Sequence, residues 1–263
     1  MLKIVAENLH PFDKRAKKCF EQDEEALHIF LQEISKRGAA YIDLNLGPLK
    51  KNKKEITHFF IDNIEKHSNL NILIDSTDSE IIKFALERAT RKIIINGFSL
   101  ETKKVEEILP LAFYYKVDII GLVISTGFVP ITLEEKVLIA EEMIAIAEQK
   151  GVDRTQIILD PVIVPLGWEK GAECAKANLN FIKHIPSIFG HEIRTIAGLS
   201  NLTTKAAGGT AKGILQGLYL SMLYEAGIDM IMIDVFNENT MKAIKFIEAL
   251  EGKTIFSFAE FFS

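Results

Sequence analysis

The chain has 263 residues with 48% hydrophobic and 25% charged side chains, which is typical of an ordinary globular protein with one large core. Its formal net charge of −5 disfavours nucleic acid as the main partner. The two cysteines, Cys19 and Cys174, lie far apart, which excludes the common zinc-binding spacings and argues against a secreted disulfide framework.

The sequence contains no apolar run of about 18 residues, the length that a membrane-spanning helix needs. The N-terminal residues enter a strand-like segment at once and leave no room for a signal peptide. We therefore expect a cytoplasmic protein that has no membrane partner.

Short segments rich in Ile and Val recur along the chain, and each is followed by a polar residue. Their consecutive apolar residues are typical of parallel strands covered on both faces. The predicted strands are residues 3–6, 40–44, 71–74, 92–95, 117–124, 156–159, 193–199 and 229–233. Between them, apolar residues spaced three and four apart predict helices. The clearest of these helices are residues 23–37, 79–91, 133–150 and 213–226.

Eight strand-helix units in roughly 260 residues predict an α/β fold, a (β/α)8 TIM barrel, with a single domain over residues 1–263. A doubly wound open sheet is the alternative. That fold usually carries a glycine-rich turn after its first strand, whereas this chain has Glu7-Asn8-Leu9-His10-Pro11 there.

In such a barrel the functional residues lie at the C-terminal ends of the strands. The first polar residues after the apolar runs are mainly carboxylates and carboxamides: Glu7, Asn8, Asp43, Asn45, Asp75, Asn96, Ser125, Thr126, Asp160, Ser200, Asn201 and Asp234. The set lacks a lysine for a Schiff base, a histidine cluster for a metal, a nucleophile with its base, and glycine-rich phosphate loops. It suits a flat, uncharged heterocycle with both donors and acceptors, such as a pterin, and needs no metal.

Structural roles compete with these functional ones. A strand-end Asp or Asn can cap the next helix, although Asp75 is followed by other residues that can do so. Asn96 before a glycine can form a turn, and Glu7 and Asp234 can pair with cations at the barrel rim. The six histidines are interpreted as surface or boundary residues, and the lysines of residues 50–54 as a solvated turn. Trp168 can pack in the core or stack on a ligand.

Five segments at successive strand ends resemble those of a known family. They are Tyr41-Ile42-Asp43-Leu44-Asn45-Leu46-Gly47-Pro48, Leu73-Ile74-Asp75-Ser76-Thr77, Ile94-Ile95-Asn96, Ile158-Leu159-Asp160-Pro161 and Gly198-Leu199-Ser200-Asn201. In order and spacing they resemble the pterin-binding methyltransferases. That family includes the methyltetrahydrofolate:corrinoid/iron–sulfur protein methyltransferases of the acetyl-CoA pathway. The folate domain of cobalamin-dependent methionine synthase and, more distantly, dihydropteroate synthase are related to it.

The resemblance implies that Asp75, Asn96 and Asp160 hold the pterin ring and that Asn201 lies near the N5 atom that carries the methyl group. Asp43, Asn45 and Ser200 complete the set of implied substrate-binding residues. It also implies a homodimeric TIM barrel that transfers the methyl group of methyltetrahydrofolate to the cob(I)alamin of a separate corrinoid protein. The cobalt then belongs to the partner, and this chain binds no metal.

Three loops depart from the family pattern: Asn96-Gly97-Phe98-Ser99 after strand four, Ser125-Thr126-Gly127 after strand five, and residues 202–209 after Asn201. These departures leave open a non-catalytic subunit that keeps the pterin pocket or the corrinoid-docking face. A dihydropteroate synthase is a less favoured alternative. It needs a lysine after strand seven, for which Lys205 is the only candidate, and an Arg-x-His near strand eight, where this chain has Asp234-Val235-Phe236-Asn237.

Overall fold

The computed structural model describes residues 2–205 and 209–252. Its strands form one closed barrel in which each strand runs parallel to the next and the last pairs with the first. They are β1 (Lys3–Leu9), β2 (Tyr41–Asn45), β3 (Asn71–Asp75), β4 (Ile93–Phe98), β5 (Asp118–Leu122), β6 (Ile157–Asp160), β7 (Arg194–Gly198) and β8 (Met230–Ile233). The predicted TIM barrel is confirmed, and the open-sheet alternative is wrong. The predicted domain also includes residues 1, 206–208 and 253–263, which lie outside the described residues.

Helices cover the outer face of the barrel. They are α1 (Glu24–Lys36), α2 (Lys53–His67), α3 (Ser79–Arg88), α4 (Thr102–Glu107), α5 (Leu109–Tyr115), α6 (Leu133–Gln149), α7 (Gly171–Ile188), α8 (Gly209–Glu225) and α9 (Glu238–Leu250). Short 3-10 helices span Lys17–Glu21, Arg154–Gln156 and Leu199–Thr203. In the part of the chain that the structure describes, no helix is long and apolar enough to cross a membrane.

The four helices predicted from spacing are present, with shifted ends. The carboxylate of Asp23 accepts a hydrogen bond from the amide of Ala26 at 3.0 Å, so this residue caps α1 instead of lying inside it. The helix predicted for residues 79–91 ends at Arg88. It stops there because the Arg91 guanidinium donates to the carbonyl oxygens of Ser68 and Glu65, which ties this segment to the end of α2.

The predicted strand ends differ from the observed ones by no more than one residue except at the C-terminal ends of β1, β4 and β5. The strand predicted for residues 117–124 ends at Leu122, because the chain then turns back on itself between Ser125 and Phe128, whose backbones pair. The strand predicted for residues 3–6 continues to Leu9. Its pairing with β2 shifts register between Ala6 and Leu9, which marks an extra residue in β1.

One inward-facing apolar side chain from each strand fills the barrel interior, on the N-terminal side of the strand ends. These residues, which we call the floor, are Val5, Tyr41, Leu73, Ile94, Ile120, Ile158, Ile196 and Met230. All are buried, and a separate, larger core lies between the outer face of the strands and the helices. The floor therefore closes the barrel, and any ligand site inside it has to lie above this layer.

Gly171, the first residue of α7, has no room for a side chain. A Cβ atom at this position would lie 2.3 Å from the carbonyl oxygen of Pro165 and 2.7 Å from that of Leu166. Because both obstacles are backbone atoms, we expect Gly171→Ala to lower the free energy of unfolding by about 1–3 kcal/mol in urea denaturation. Gly167→Ala in the same loop is the control, since its Cβ would meet nothing within 4 Å. Equal stability of the two variants would contradict this prediction.

Candidate functional site

A cavity of about 580 Å³ opens at the C-terminal ends of the strands. Because side chains alternate along a strand, the next inward residue comes two positions after each floor residue. These residues, which we call the cavity tier, are Glu7, Asp43, Asp75, Asn96, Leu122, Asp160, Gly198 and Met232, and all of them line the cavity. The barrel interior thus changes from an apolar floor to a mainly polar surface within a single step along each strand.

The structure brings six of the seven sequence-predicted site residues to this cavity. They are Asp43, Asp75, Asn96, Asp160, Ser200 and Asn201. The seventh, Asn45, is not among the lining residues. Its Nδ2 donates to Oδ2 of Asp75 at 2.7 Å, and its Oδ1 accepts from the Gly47 amide at 2.9 Å. Asn45 therefore orients the Asp75 carboxylate.

Asp75 is not used as a helix cap. The cap of α3 is Asp78, whose Oδ1 accepts from the Glu80 amide at 3.0 Å and whose carboxylate pairs with Lys53 at 2.7 Å. Asp75 is left with one oxygen held by Asn45 and faces the cavity. This arrangement leaves its carboxylate available to a ligand.

Asp43 and Asp75 repel each other electrostatically. Burial raises the pKa of Asp43 well above its usual range, and the charges of Asp75 and Glu7 raise it further. Burial also raises the pKa of Asp75, while the hydrogen bond from Asn45 and the charge of Lys104 act in the opposite direction. We infer that Asp75 carries the negative charge and that Asp43 is the protonated partner. The Asp43 Oδ1 is buried and has no hydrogen-bond partner among the described residues, so it can bond to a ligand.

The backbone after Asn96 allows no side chain larger than glycine. A Cβ atom at Gly97 would lie 2.6 Å from the carbonyl oxygen of Ile120 on β5. The register between β4 and β5 shifts at this point. The turn-forming glycine and the cavity-facing Asn96 are therefore parts of one local structure, in which the chain packs closely against the neighbouring strand.

Asp160 is fixed by the loop that follows it. Its Oδ1 accepts from the Val162 amide at 2.7 Å. The fully buried side chain of Lys136 on α6 reaches the same loop and donates from Nζ to the Pro161 carbonyl oxygen at 2.9 Å. Burial raises the pKa of Asp160 to about 6, and the charge of Lys136 opposes that rise. Lys136 thus braces the Asp160 loop and favours the ionised carboxylate.

Replacing Lys136 tests this brace. Lys136→Met keeps the length of the side chain but leaves the Pro161 carbonyl without its buried donor. We expect the free energy of unfolding to fall by about 1–3 kcal/mol, the cost of an unsatisfied buried polar group. Urea denaturation at pH 7 measures the change, with Lys176→Met at an exposed position of α7 as the control. An undiminished stability of Lys136→Met would show that the bond to Pro161 contributes nothing.

Two cavity-lining residues, His10 and Lys104, were not assigned there by the sequence, and a third, Glu7, was left open between the polar strand ends and a rim ion pair. His10 is half-buried, as the interpretation of the histidines as surface or boundary residues expects, and it also lines the cavity. Its Nδ1 accepts from the Phe12 amide at 3.2 Å. The rim interpretation holds for Asp234, which pairs with Arg15 at 3.1 Å. Glu7 instead faces the cavity, a position indicated by its separation of two residues from Val5.

Trp168 and Lys205 line a different, smaller cavity of about 410 Å³. Trp168 is 55% exposed, so it is not a core residue. Lys205 does not reach the main cavity. Across residues 2–205 and 209–252, no group of three or more His, Cys, Asp or Glu side chains is arranged to hold a metal ion.

Comparison with known proteins identifies the family. The family model described as "Pterin binding enzyme" matches residues 7–234, which spans the barrel from the end of β1 to the residue after β8. The chain belongs to the family of pterin-binding enzymes. The cavity tier lies within the matched region.

Two curated relatives are a methyltransferase and a methionine synthase by name. The chain is 25% identical over 259 residues to the methylcorrinoid:tetrahydrofolate methyltransferase of Eubacterium limosum, which covers 95% of this chain and 91% of that protein. It is also 24% identical over 208 residues to the methionine synthase of Mycobacterium leprae. That match covers 74% of this chain and only 17% of the much longer synthase.

Two solved structures of dihydropteroate synthases share the fold. The dihydropteroate synthase of Stenotrophomonas maltophilia, with imidazole bound in its active site, superimposes with a TM-score of 0.69. The match covers 97% of this chain and 94% of that chain at 15% sequence identity. Dihydropteroate synthase of Xanthomonas albilineans, in complex with indole-2-carboxylic acid and 6-chloroguanine, gives the same TM-score and identity. At this identity the likeness concerns the fold.

Proposed function

We propose that this protein transfers a methyl group between N5 of a reduced pterin, methyltetrahydrofolate in its methylated form, and the cobalt of a corrinoid carried by a separate protein. The observation that carries the proposal is the cavity tier, in which Asp75, Asn96 and Asp160 stand above an apolar floor. The similarity over most of the chain to a methylcorrinoid:tetrahydrofolate methyltransferase supports the two substrates.

The cavity suits a pterin in size and in hydrogen-bonding character. A volume of about 580 Å³ is within the range of small-molecule sites. The pyrimidine half of a pterin presents an amino group and a ring N–H side by side, and a single carboxylate can accept both hydrogen bonds. Asp75 and Asp160 offer such carboxylates, and the Asn96 amide can donate as well as accept. Asp43 and Ser200 complete the polar lining.

The chemical step requires help at N5. An amine is a poor leaving group, so N5 has to receive a proton or a hydrogen bond while its bond to the methyl carbon breaks in an SN2-like transfer. Asn201 lies on the 3-10 helix after β7 and lines the cavity. Its carboxamide can donate a hydrogen bond without titrating, so we assign it to N5.

The corrinoid is the second substrate and approaches from the open face of the barrel. Loops of this face expose the aromatic side chains of Phe12, Phe128 and Trp168, which suits a docking surface. The resemblance further implies a corrinoid/iron–sulfur partner of the acetyl-CoA pathway and a homodimer, and the sequence pattern predicts one domain and a cytoplasmic location. These features remain predictions.

The dihydropteroate synthase alternative has less support. Lys205, the candidate lysine in the loop after β7, lines the separate cavity beside Trp168. The segment after β8 reads Asp234-Val235-Phe236-Asn237 and offers no Arg-x-His pair for a diphosphate. The structural neighbours that carry this name share 15% identity with the chain, which supports only a common fold.

The proposed function is tested by binding and by transfer, measured separately. Purified protein is titrated with methyltetrahydrofolate in a calorimeter, and single-turnover transfer to free cob(I)alamin is followed by the absorbance of the cobalt. The reverse reaction, from methylcobalamin to tetrahydrofolate, is run with the same protein. We expect saturable binding and transfer in both directions. Binding without transfer would favour the non-catalytic subunit, and the absence of both would refute the methyltransferase.

A further inference from the structure

Glu7 is a carboxylic acid of the cavity tier to which the proposed pterin contacts give no role. It is the inward residue after Val5 of the floor, and it lies where β1 carries an extra residue relative to β2. Bulges of this kind often occur next to active sites, where they redirect a side chain. The Ser200 hydroxyl donates to Oε2 of Glu7 at 3.1 Å, across the mouth of the barrel from the end of β7.

The surroundings of Glu7 contain more negative than positive charge. Asp234 after β8 and Asp13 after β1 are the anionic groups that act on it electrostatically. The one cation that acts on it, Arg15, is already bound to Asp13 at 2.7 Å and to Asp234 at 3.1 Å. Within the described part of the chain, no cationic group pairs with Glu7 within 4.0 Å. Burial, opposed by the hydrogen bond from Ser200, raises the pKa of Glu7 to about 7.

Glu7 also lies on the side of the cavity where the leaving group is expected. Asp75 and Asn96 lie on the adjacent strands β3 and β4, while Glu7 and Ser200 are joined across the ends of β1 and β7. Ser200 immediately precedes Asn201, the residue assigned to N5. A pterin whose pyrimidine ring is held at β3 and β4 therefore directs its other ring, which contains N5, toward Glu7 and Ser200.

We propose that Glu7 is the acid that gives N5 its proton when the methyl group leaves, and that the Ser200 hydroxyl holds the carboxyl group in place. The inference rests on the proposed function. Asn201 can polarise N5, but a carboxamide has no proton to give up at neutral pH, whereas a carboxylic acid has.

The step balances. The methyl group leaves N5 without the electron pair of the C–N bond, and cob(I)alamin supplies the two electrons of the new Co–C bond. The C–N pair stays on N5 and takes the carboxyl proton of Glu7, which becomes a carboxylate. In the reverse direction the Glu7 carboxylate accepts the N5 proton as the nitrogen attacks methylcobalamin. Solvent restores the starting protonation state after each turnover.

The test compares wild-type protein, Glu7→Gln, Glu7→Asp and the exposed control Glu142→Gln on α6. Two quantities are measured for each protein, the Kd of methyltetrahydrofolate and the single-turnover rate with free cob(I)alamin between pH 6 and 9. In the forward direction the wild-type rate requires protonated Glu7, so it falls as the pH rises above about 7. With methylcobalamin and tetrahydrofolate the carboxylate is required, so the rate instead rises through the same pH.

We expect Glu7→Gln to slow forward transfer by about 100- to 10,000-fold, the usual contribution of a general acid, and to lose the bend near pH 7. Its Kd for methyltetrahydrofolate should change less than about threefold, which also shows that the variant is folded. Glu7→Asp should recover part of the rate together with a pH-dependent limb, and Glu142→Gln should match wild type.

The outcomes separate this inference from the function on which it rests. A Glu7→Gln variant that transfers at the wild-type rate with an unchanged pH profile would overturn the role of Glu7 while leaving the methyltransferase intact. Equal losses in binding and rate would mean that Glu7 is a ligand contact and not the acid. Wild-type protein that neither binds methyltetrahydrofolate nor transfers its methyl group would overturn the proposed function itself.

Discussion

Asn201→Ala should slow methyl transfer about 100- to 1,000-fold while weakening methyltetrahydrofolate binding less than about fivefold. The size of the rate effect is that of removing one preorganised donor from a developing charge. The split between rate and affinity follows because N5 becomes a stronger hydrogen-bond acceptor only as its bond to the methyl group breaks. Single-turnover absorbance with cob(I)alamin gives the rate, and calorimetric titration gives the Kd.

Two further variants identify what the carboxamide does. Asn201→Asp has the same shape but replaces the donating amide with an acceptor, so it should be as slow as Asn201→Ala if donation is the role. Asn180→Ala, at an exposed position on α7, is the control and should match wild type. If Asn201→Ala loses rate and affinity by the same factor, its contact is already complete in the ground state and it does not act on N5.

Asp75→Ala should weaken pterin binding by about 1.5–3 kcal/mol, which corresponds to a rise of about 12- to 160-fold in Kd. The expected size is that of a lost hydrogen bond to a charged group, and the substitution also leaves the Nδ2 of Asn45 without its partner. Calorimetric titration with methyltetrahydrofolate measures it. An unchanged Kd would remove Asp75 from the binding site.

Asp78→Ala is the matched control, three residues further along the chain. Asp78 caps α3 and pairs with Lys53, so its loss should lower the stability of the helix by about 0.5–2 kcal/mol without changing the Kd.

The pH dependence of methyltetrahydrofolate binding offers an independent check on Asp75. Burial raises the pKa of Asp75. As the pH is lowered, the Asp75 carboxylate of the wild type is therefore protonated at a higher pH than an exposed aspartate would be, and pterin binding weakens there. In Asp75→Ala the Kd of methyltetrahydrofolate should no longer change with pH over the range in which Asp75 titrates.

The sequence was sufficient to predict the barrel and most of the cavity because both follow from one pattern. A run of consecutive apolar residues ending in a polar one specifies a covered parallel strand and also its C-terminal end. Asp75, Asn96 and Asp160 are the first polar residues after the apolar runs of their strands, and each lines the cavity. The sequence also offered Asp78 as an alternative cap for α3, because it lies where the first turn of that helix needs a hydrogen-bond acceptor.

The residues that the sequence misplaced depend on features that a strand pattern does not record. The first strand continues to Leu9, beyond its apolar run, so Glu7 lies inside the strand, two residues after Val5, and faces the cavity instead of the rim. His10 reaches the same cavity from a bend after β1, and Lys104 does so from the short helix α4. Asn45 was correctly placed on β2, but only the distance to Asp75 shows that it binds a carboxylate instead of lining the cavity.

The floor and the cavity tier lie two residues apart on each of the same strands. A substitution in the cavity tier therefore alters one wall of the ligand site while the apolar side chain beneath it remains in place. The floor positions contribute to the apolar core and the tier positions to the ligand site, so the two roles fall on different residues of a single strand. The heterocycle that such a barrel binds can therefore change through single substitutions in the tier, while the apolar floor of each intermediate variant stays unchanged.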